Sequence, residues 1–326
     1  MLVIRHDEVR DILRGAEQAV LELVRDTYRE HDAGETVVPH STFLRFPGES
    51  ANRIIGLPAF VGGEQPIAGI KWVASFPGNL GRGLPRASAT IVLNSMETGR
   101  PLALMEGAQI SAARTAAATA VAAQTLAGPD PVRSISMIGC GLINFEVLRF
   151  LPGLSALTLF DVSRARAEAF GARARQALPA LDVRIAATSA EAVAAAGVLS
   201  LATTAIEPHM TLDGARPGAV VLHISLRDLT PETVLAARNV VDDVDHVLRE
   251  RTSVHLAELA TGDRAFVHAT LGGLLRGTTT LPGGGSSIIF SPFGLGALDL
   301  ALARYVLEQA LARNSGLAVE AFQQPV

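Results

Sequence analysis

The sequence is poor in cysteine and in charge, and each shortage narrows what the protein can be. Its one cysteine, Cys140, excludes an internal disulfide and is typical of a reducing compartment, so we expect a cytoplasmic protein. Charged residues make up 18% of the chain and the formal net charge is −4, which gives no basic footprint for nucleic acid. A hydrophobic share of 48% favours a well-packed globular protein over a disordered one.

No segment of the sequence is predicted to be a secretory signal or a membrane span. Residues 1–13 carry a charge every few positions, unlike a signal peptide. The longest uncharged run, residues 277–298, could span a bilayer by length, but it contains two prolines and a glycine triplet, so we interpret it as loop and turn. The histidines show no metal-ligand spacing. We therefore expect no membrane anchor, no metal site and no nucleic-acid partner.

The first part of the chain has the pattern of an α+β domain. Its 326 residues exceed the usual size of one core and predict two domains. Helical periodicity over residues 7–32 is followed by short β-rich pieces between Gly, Pro and Asn turns, which predicts an antiparallel sheet. An alanine-rich stretch predicts a helix over 111–127. The predicted strands are 36–45, 54–60, 67–76 and 87–94.

From Val132 onward, predicted strands and helices alternate. The strands are 134–138, 156–160, 182–186, 198–202 and 219–224, and the helices are 142–151, 163–178 and 190–196. This order predicts an α/β fold with a parallel, doubly wound sheet. A last amphipathic helix, 297–312, is expected to return to the first domain. We therefore predict a Rossmann domain, residues 128–296, inserted in an α+β domain made of residues 1–127 and 297–326.

A glycine motif closes the first strand of the predicted parallel sheet. Gly139 and Gly141 are separated by one residue, which allows a tight turn and a close approach of backbone N–H groups to a pyrophosphate. Asp161 lies 22 positions after Gly139, near the spacing of about 20 at which an acid binds the ribose hydroxyls of NAD. The third glycine position holds Asn144, so an ordinary strand-to-helix turn stays open as an alternative.

Two cations of the first domain are candidate ligands for a substrate. Lys71 shares one face of its predicted strand with Gly69 and Ser75, and such small neighbours suggest a cavity; the alternative is a solvent-facing sheet surface. Arg114 lies in the first turn of the predicted alanine-rich helix, where a cation opposes the helix dipole. Its position makes sense if it binds an anion such as a carboxylate. The alternative is a surface pair with Glu106.

Further polar residues extend this set. Arg53 and Arg86 could add to the same positive pocket or could be merely exposed. Asp228 follows a predicted strand of the parallel sheet, at the edge where such sheets bind ligands, so it is a candidate general base. It could instead cap the next helix, although Thr230 is the better cap candidate. We interpret His223 as structural.

Five segments are distinctive: Ser111-Ala112-Ala113-Arg114-Thr115-Ala116-Ala117, which is the most specific, and 68–71, 106–107, 139–141 and 290–299. Together they resemble the ornithine cyclodeaminase/μ-crystallin family, over nearly the whole chain. Within that family, segments 38–45, 71–79 and 224–229 are most similar to the dehydrogenases of diaminopropionate biosynthesis.

The resemblance implies a homodimer built through the first domain, NAD in the Rossmann domain and an amino-acid-derived small-molecule substrate. Lys71 and Arg114 match the family's substrate-binding residues, and Lys71 and Asp228 are the expected catalytic residues. Ser41-Thr42 stands where many relatives have Arg-Thr, so we expect Arg45 or Arg53 to bind a carboxylate instead. The expected cofactor-binding residues are Thr115, Gly139, Gly141, Leu142, Asp161, Thr203, Ser291 and Gly294.

The function that this resemblance implies is NAD-dependent oxidative cleavage of a secondary amine. The favoured substrate is N-(2-amino-2-carboxyethyl)-L-glutamate, which would give 2,3-diaminopropionate and 2-oxoglutarate. Arg114 would hold carboxylates, Lys71 would bind a carboxylate or assist proton transfer, and Asp228 would accept the amine proton or activate water. An ornithine cyclodeaminase-type lyase, a ketimine reductase and a non-catalytic ligand carrier stay open as alternatives.

Overall fold

The chain divides into two compact units, one made of residues 1–115 with those from 295 onward, and one made of residues 116–294. The computed structural model describes residues 1–322, without the side chains of residues 49–51 and 80. Residues 323–326, which the predicted first domain included, lie outside the described residues. Within that part of the chain, no helix combines the length and the apolar character needed to cross a membrane.

The helices and strands follow one another in this order. The helices are α1 (His6–Leu13), α2 (Glu17–Asp32), α3 (Ala108–Leu126), α4 (Leu142–Arg149), α5 (Arg164–Ala177), α6 (Ser189–Ala195), α7 (Pro231–Leu235), α8 (Val244–Val247), α9 (Ser253–Thr261), α10 (Leu271–Arg276) and α11 (Gly296–Ala312), with a 3₁₀ helix at Pro77–Arg82. The strands are β1 (Leu2–Ile4), β2 (Thr36–Val37), β3 (Thr42–Phe46), β4 (Glu49–Val61), β5 (Ile67–Ser75), β6 (Ala87–Asn94), β7 (Pro101–Glu106), β8 (Ser134–Ile138), β9 (Ala156–Phe160), β10 (Asp182–Ile185), β11 (Val198–Leu201), β12 (Val220–His223), β13 (Arg238–Val241), β14 (Val267–Thr270), β15 (Ile288–Ser291) and β16 (Leu317–Ala318).

The first unit is built on a mostly antiparallel sheet. Its strands run in the order β16-β1-β7-β6-β5-β4-β2, and β3 also pairs with β4. β1 and β7 are parallel, whereas the other neighbours are antiparallel. The long helix α11 packs against β4, β5 and β6, and α2 packs on α11. Because its side chains are buried along most of its length, α11 forms the centre of this unit's core.

A glycine places the start of α11 directly on β4. A Cβ atom added to Gly296 would lie 3.2 Å from Cβ of Ala59 and 3.3 Å from the carbonyl oxygens of Leu57 and Pro58. These distances are tighter than ordinary van der Waals contact, so a larger residue would require β4 to shift by a few tenths of an ångström. In the sheet register Leu57 is the neighbour of Lys71 on β5. The first turn of α11 is therefore held beside the strand that carries Lys71.

The second unit is built on a fully parallel sheet, which confirms the predicted doubly wound α/β fold. The strand order is β10-β9-β8-β11-β12-β15-β13-β14, and every neighbouring pair is parallel. From β8 the chain continues to β9 on one side and later to β11 on the other. The order therefore reverses between β8 and β11, and such a switch point is where doubly wound sheets bind ligands.

Several parts of the chain differ from the pattern read in the sequence; for example, the predicted strand 36–45 is divided into β2 and β3. The helical stretch 7–32 is interrupted between α1 and α2, where Gly15 takes a φ of 76° that ends the first helix. The interpretation of residues 277–298 as loop and turn is wrong for β15, which lies between β12 and β13 in the parallel sheet. Its four residues are too few to show a period, and the surrounding glycines and prolines hide it.

Candidate active site

Three charged side chains meet inside the first unit. Oδ2 of Asp299 lies 2.5 Å from Nζ of Lys71, and its Oδ1 accepts a hydrogen bond of 3.0 Å from Nε of Arg114. Lys71 is 2% exposed, Arg114 9% and Asp299 0%. Nζ of Lys71 also donates to Oγ of Ser111 at 3.2 Å. A carboxylate is thus bound on each of its two oxygens by a different buried cation.

The elements around this cluster explain why the cations are inside. Ser111 and Arg114 are three residues apart on α3 and therefore lie on one face of that helix. Glu106 is engaged elsewhere, since its carboxylate accepts the backbone N–H groups of Ala108 and Gln109 at the start of α3. The alternative of a surface pair between Arg114 and Glu106 is therefore wrong. The alternative of a solvent-facing Lys71 is wrong as well, because that side chain is buried.

Burial and charge set the ionisation of the cluster. Burial, the largest effect, and the Arg114 cation lower the pKa of Lys71, Asp299 opposes both, and the net pKa is about 8. Burial alone would raise the pKa of Asp299, but Arg114 and Lys71 together hold it below its usual value. At neutral pH Asp299 is therefore an anion, whereas the Lys71 amine is close to its midpoint and can gain or lose a proton.

A second group of cations lies on the same face of the sheet as Lys71. Ser75 is four residues along β5 from Lys71, about 13 Å at the rise of a strand, and both side chains project from one face. Arg53 is the direct neighbour of Ser75 on β4, and Arg45 is the neighbour of Arg53 on β3. Arg86 donates a 3.2 Å hydrogen bond from Nη1 to Oγ of Ser75. These three arginines form the distal arginine group.

The floor between the two cationic positions is apolar. In the register, Ile55 on β4, Val73 on β5 and Ala89 on β6 are neighbours, and they lie between the rows of Lys71 and Ser75. Because cross-strand neighbours share a face, this row faces the same side as both cationic positions. The surface suits an elongated ligand with negative charge at separated points.

In the second unit, the Gly139–Gly141 turn has the geometry of a dinucleotide site. Gly139 has a φ of 90°, and a Cβ atom there would lie 2.4 Å from the carbonyl oxygen of Ala202, so only glycine fits. A Cβ atom at Gly141 would meet nothing within 4 Å, which leaves the backbone before α4 open to a ligand. Leu142, the first residue of α4, is exposed. These features fit a pyrophosphate at the helix N-terminus.

The acid expected to bind ribose lies against this turn. Asp161 accepts the backbone N–H of Cys140 on Oδ2 and that of Ser163 on Oδ1, each at 2.9 Å. Beside it is a cavity of about 360 Å³, lined by Phe160, Asp161, Val162, Arg164, Ile185, Ala186 and Ala187. Val162 is 96% exposed there, and an apolar side chain in that position fits the flat ring of an adenine. Burial, and then the charge of Asp161, raise the pKa of the Cys140 thiol to about 12.

Asn144, which replaces the third glycine of the motif, is hydrogen-bonded to the backbone of the turn. Its fully buried amide donates from Nδ2 to the carbonyl oxygens of Gly139 at 2.7 Å and Ile138 at 3.2 Å. Its Oδ1 accepts a 2.7 Å hydrogen bond from Ser200 on β11. The side chain therefore joins β8 to β11 at the switch point of the sheet.

Asp228 lies at the centre of a second buried network in the same unit. Its Oδ1 accepts the hydroxyl of Thr203, and its Oδ2 accepts that of Ser225. Nε2 of His223 lies 3.2 Å from Oδ2, and Nδ1 of His223 lies 3.3 Å from Oγ of Ser291. Although burial opposes ionisation, hydrogen bonding to His223 and the charge on its ring, followed by the two hydroxyls, lower the pKa of Asp228.

The remaining predicted residues have structural partners of their own. Thr115 donates its hydroxyl to the carbonyl oxygen of Ser111. Gly294, with a φ of 96°, donates its N–H to the buried carboxylate of Asp242 at 2.7 Å. Within residues 1–322, no cluster of three or more histidine, cysteine or acidic side chains is suited to a metal ion.

Sequence reasoning missed the central residue of the first unit's cluster. Asp299 stood inside one of the family-like segments but was not among the candidate site residues. The available signal was an acid in the first turn of an otherwise apolar helix, since α11 reads Gly-Ala-Leu-Asp-Leu-Ala-Leu-Ala from its start. A charged residue among buried apolar ones needs a partner of opposite charge.

Comparison with known proteins shows similarity over nearly the whole chain. The model of the ornithine cyclodeaminase/mu-crystallin family matches residues 6–314. The chain is 29% identical to the N-((2S)-2-amino-2-carboxyethyl)-L-glutamate dehydrogenase of Staphylococcus aureus, over 99% of both chains.

Two solved structures are similar over nearly their full length. One is the Thermococcus litoralis Δ1-pyrroline-2-carboxylate reductase in complex with NADH and L-proline, with a TM-score of 0.90 and 26% identity, covering 98% of this chain and 100% of that one. The other is an archaeal alanine dehydrogenase dimer with bound NAD, with a TM-score of 0.88 and 26% identity over 99% of both chains.

The Asn144 bridge yields a first prediction. Asn144→Ala removes three buried hydrogen bonds and leaves the Ser200 hydroxyl and two carbonyl groups without this partner, so we expect the free energy of unfolding to fall by about 2–3 kcal/mol. Chemical denaturation followed by circular dichroism measures it. Asn94→Ala is the matched control, because the hydrogen bond from Asn94 to Gly99 is exposed, and its effect should stay below about 0.5 kcal/mol. Equal losses in both variants would contradict a special role for the bridge.

Proposed function

Because the chain belongs to the ornithine cyclodeaminase/mu-crystallin family, we propose that it oxidatively cleaves N-(2-amino-2-carboxyethyl)-L-glutamate to 2,3-diaminopropionate and 2-oxoglutarate. It is an oxidoreductase of amino-acid CH–NH bonds with NAD as cofactor. Its relatives act on different amino acids, so the choice of this substrate depends on the chain's own residues.

The observation that carries this choice is the pair of separated cationic positions on one sheet face. The favoured substrate has three carboxylates, whereas alanine and proline, which the two similar structures name, have one each. One carboxylate suits the Lys71–Arg114 end, and a second suits the distal arginine group about 13 Å along the strand. The apolar row between them suits the methylene groups of the substrate.

Arg114 has the geometry to hold the carboxylate next to the reacting carbon. Its Nε is bound to Asp299, and the two terminal nitrogens of the guanidinium stay available for a bidentate carboxylate. NAD would supply the acceptor for the hydride that leaves the glutamyl α-carbon. Gly139, Gly141 and Asp161 are the residues of this chain that would hold it.

Lys71 is the proposed acceptor of the proton that the substrate amine must lose. Its amine titrates near the pH at which such an exchange is efficient, since burial lowers its pKa to about 8. Asp228 is less suited to that work, because internal hydroxyls occupy both of its oxygens and its pKa is lowered. We assign to Asp228 the positioning of Thr203 and Ser225.

The overall reaction balances with one water. Removal of the α-hydrogen with its electron pair leaves a C=N bond between the former glutamyl carbon and the diaminopropionate nitrogen. Water adds to that carbon, its oxygen becomes the keto oxygen of 2-oxoglutarate, and the C–N bond breaks to release the amine. One proton is released for each NADH formed, and Lys71 passes it to solvent.

An activity assay tests the proposal directly. Purified protein with N-(2-amino-2-carboxyethyl)-L-glutamate and NAD⁺ should give a rise in NADH absorbance, with equal amounts of 2-oxoglutarate and 2,3-diaminopropionate by mass spectrometry. L-alanine and L-proline serve as comparison substrates and should react much more slowly. Ammonia release from ornithine without net NADH would support the lyase alternative instead, and cofactor binding without any turnover would support a ligand carrier.

The distal arginine group gives a second test of substrate choice. Arg53→Gln should raise KM for the full substrate about tenfold, the effect of losing about 1.4 kcal/mol of binding, with a smaller change in kcat. N-(2-aminoethyl)-L-2-aminobutyrate, which keeps only the α-carboxylate, should be affected little by the same change. Arg100→Gln, at an exposed position of the same unit, is the control. Equal losses for both substrates would exclude a contact between Arg53 and a remote carboxylate.

The homodimer and the cytoplasmic location stay predictions. Support for a dimer comes from the sheet face opposite Lys71. Trp72 and Leu44 project from that face and are 45% and 44% exposed. Exposed apolar side chains that share one face are typical of an interaction surface. The similar alanine dehydrogenase is a dimer. Analytical ultracentrifugation should give twice the chain mass of 34.1 kDa, and Trp72→Glu should shift the protein toward the monomer. A wild-type monomer at micromolar concentration would contradict the expectation.

A further inference from the structure

We propose that Asp299 is the positioning residue of the substrate site, holding the Lys71 amine and the Arg114 guanidinium in one fixed arrangement. This inference rests on the proposed function for the roles of Lys71 and Arg114. It goes further by assigning their orientation, and the proton affinity of the amine, to a buried acid whose two oxygens are both bound to protein side chains.

The geometry gives each cation its own oxygen. Oδ2 of Asp299 binds Lys71 and Oδ1 binds Arg114, so rotation of the carboxylate would break both contacts at once. The carboxylate is fully buried in the first turn of α11, whose start is fixed on β4 by the close contact at Gly296. Asp299 is therefore carried by a rigid helix and locked on both sides.

Counting hydrogen-bond donors shows what this arrangement leaves for the substrate. A charged Lys71 amine has three N–H donors, of which Asp299 and Ser111 take two. When the amine is neutral, both of its N–H groups can still point to these two acceptors. Its lone pair then occupies the remaining tetrahedral direction. Proton exchange with a ligand is thereby confined to one direction in space.

The negative charge of Asp299 also affects the proton affinity of the Lys71 amine. Lys71 and Arg114 are two buried cations close enough that Arg114 lowers the pKa of the amine. Asp299 opposes this, and with it the cluster has one net positive charge when Lys71 is protonated and none when it is neutral. Without the carboxylate, two buried positive charges would face each other, and the lysine, the weaker base, would release its proton.

A purely stabilising role is the weaker explanation for this cluster. The cost of removing charges from water largely cancels the attraction within a buried ion pair, and well-packed apolar residues often serve stability as well. Fixing the direction of two functional groups is the effect that an apolar residue could not supply.

The sequence offers a direct way to test the proposal, because Lys71 is its only lysine. The protein is grown with lysine labelled at ¹³Cε and ¹⁵Nζ and carries no lysine-containing tag. Nuclear magnetic resonance then shows a single lysine side-chain signal, and the change of its chemical shift with pH reports the pKa of Lys71. In the wild type the midpoint is expected near 8. Asp299→Asn should lower it by at least about one unit, since a neighbouring anion that favours the charged form is lost.

Arg114→Gln should move the same signal in the opposite direction, because a repelling cation is removed while Asp299 stays. Asp11→Asn, an exposed carboxylate of the same unit, is the control and should leave the midpoint unchanged. If Asp299→Asn does not fold, Arg114→Gln alone still decides, since a lowered or unchanged midpoint there overturns the proposal. An unchanged midpoint in a folded Asp299→Asn protein overturns it as well.

Kinetics add a readout that a merely structural role would not move. If Lys71 accepts the amine proton, kcat/KM of the wild type rises with pH through the midpoint of the lysine. In Asp299→Asn the rise should begin at lower pH, and KM should increase because Arg114 has lost its partner. The titration needs no substrate. If the proposed reaction is not observed, the nuclear magnetic resonance titration still tests the role of Asp299. The proposed reaction and the positioning role of Asp299 can therefore be contradicted independently.

Discussion

One carboxylate shared by two buried cations is the constraint on which the first unit's chemistry depends. Asp299 satisfies charges on β5 and α3 that the apolar core could not otherwise hold, and it is itself acceptable inside only because both are present. The close contact of Gly296 with β4 serves the same end, because it brings the acid within reach. The same few residues thus determine both how this unit packs and which of its buried groups are charged.

The parts of the fold with a strong local signal could be predicted from the sequence. β8 and β9 were predicted with their observed bounds, because short apolar runs between turn residues are typical of buried parallel strands. β15 was not, since four residues among glycines and prolines carry no period. The site followed the same rule. Lys71 was found from its small neighbours on the strand. Arg114 was found for a wrong reason, since α3 begins at Ala108 and Arg114 is not in its first turn. Their common partner lies 228 positions away from Lys71, and no local pattern encodes such a distance.

Asn144 differs from the glycine expected in the dinucleotide-binding motif, yet the turn keeps the geometry of that motif. In a dinucleotide-binding motif the third glycine allows close packing of helix and strand. Here the amide fills that space and bonds to both the turn and the next strand, so rigidity comes from hydrogen bonds instead of close backbone contact. The sequence marked this position as atypical, but only the neighbouring Ser200 explains why a polar residue is accepted there.

The discontinuous make-up of the first unit has a consequence for how the protein is made. A ribosome adds about 5–20 residues each second, so roughly 10–45 seconds separate the synthesis of Lys71 from that of its partner on α11. β1 waits still longer for β16, the strand that pairs with it at the edge of the sheet. During that time the sheet face that α11 will cover is exposed, while the intervening parallel unit can already fold. Until the last helix emerges, the nascent chain therefore exposes an apolar sheet face, which is the kind of surface on which folding intermediates aggregate.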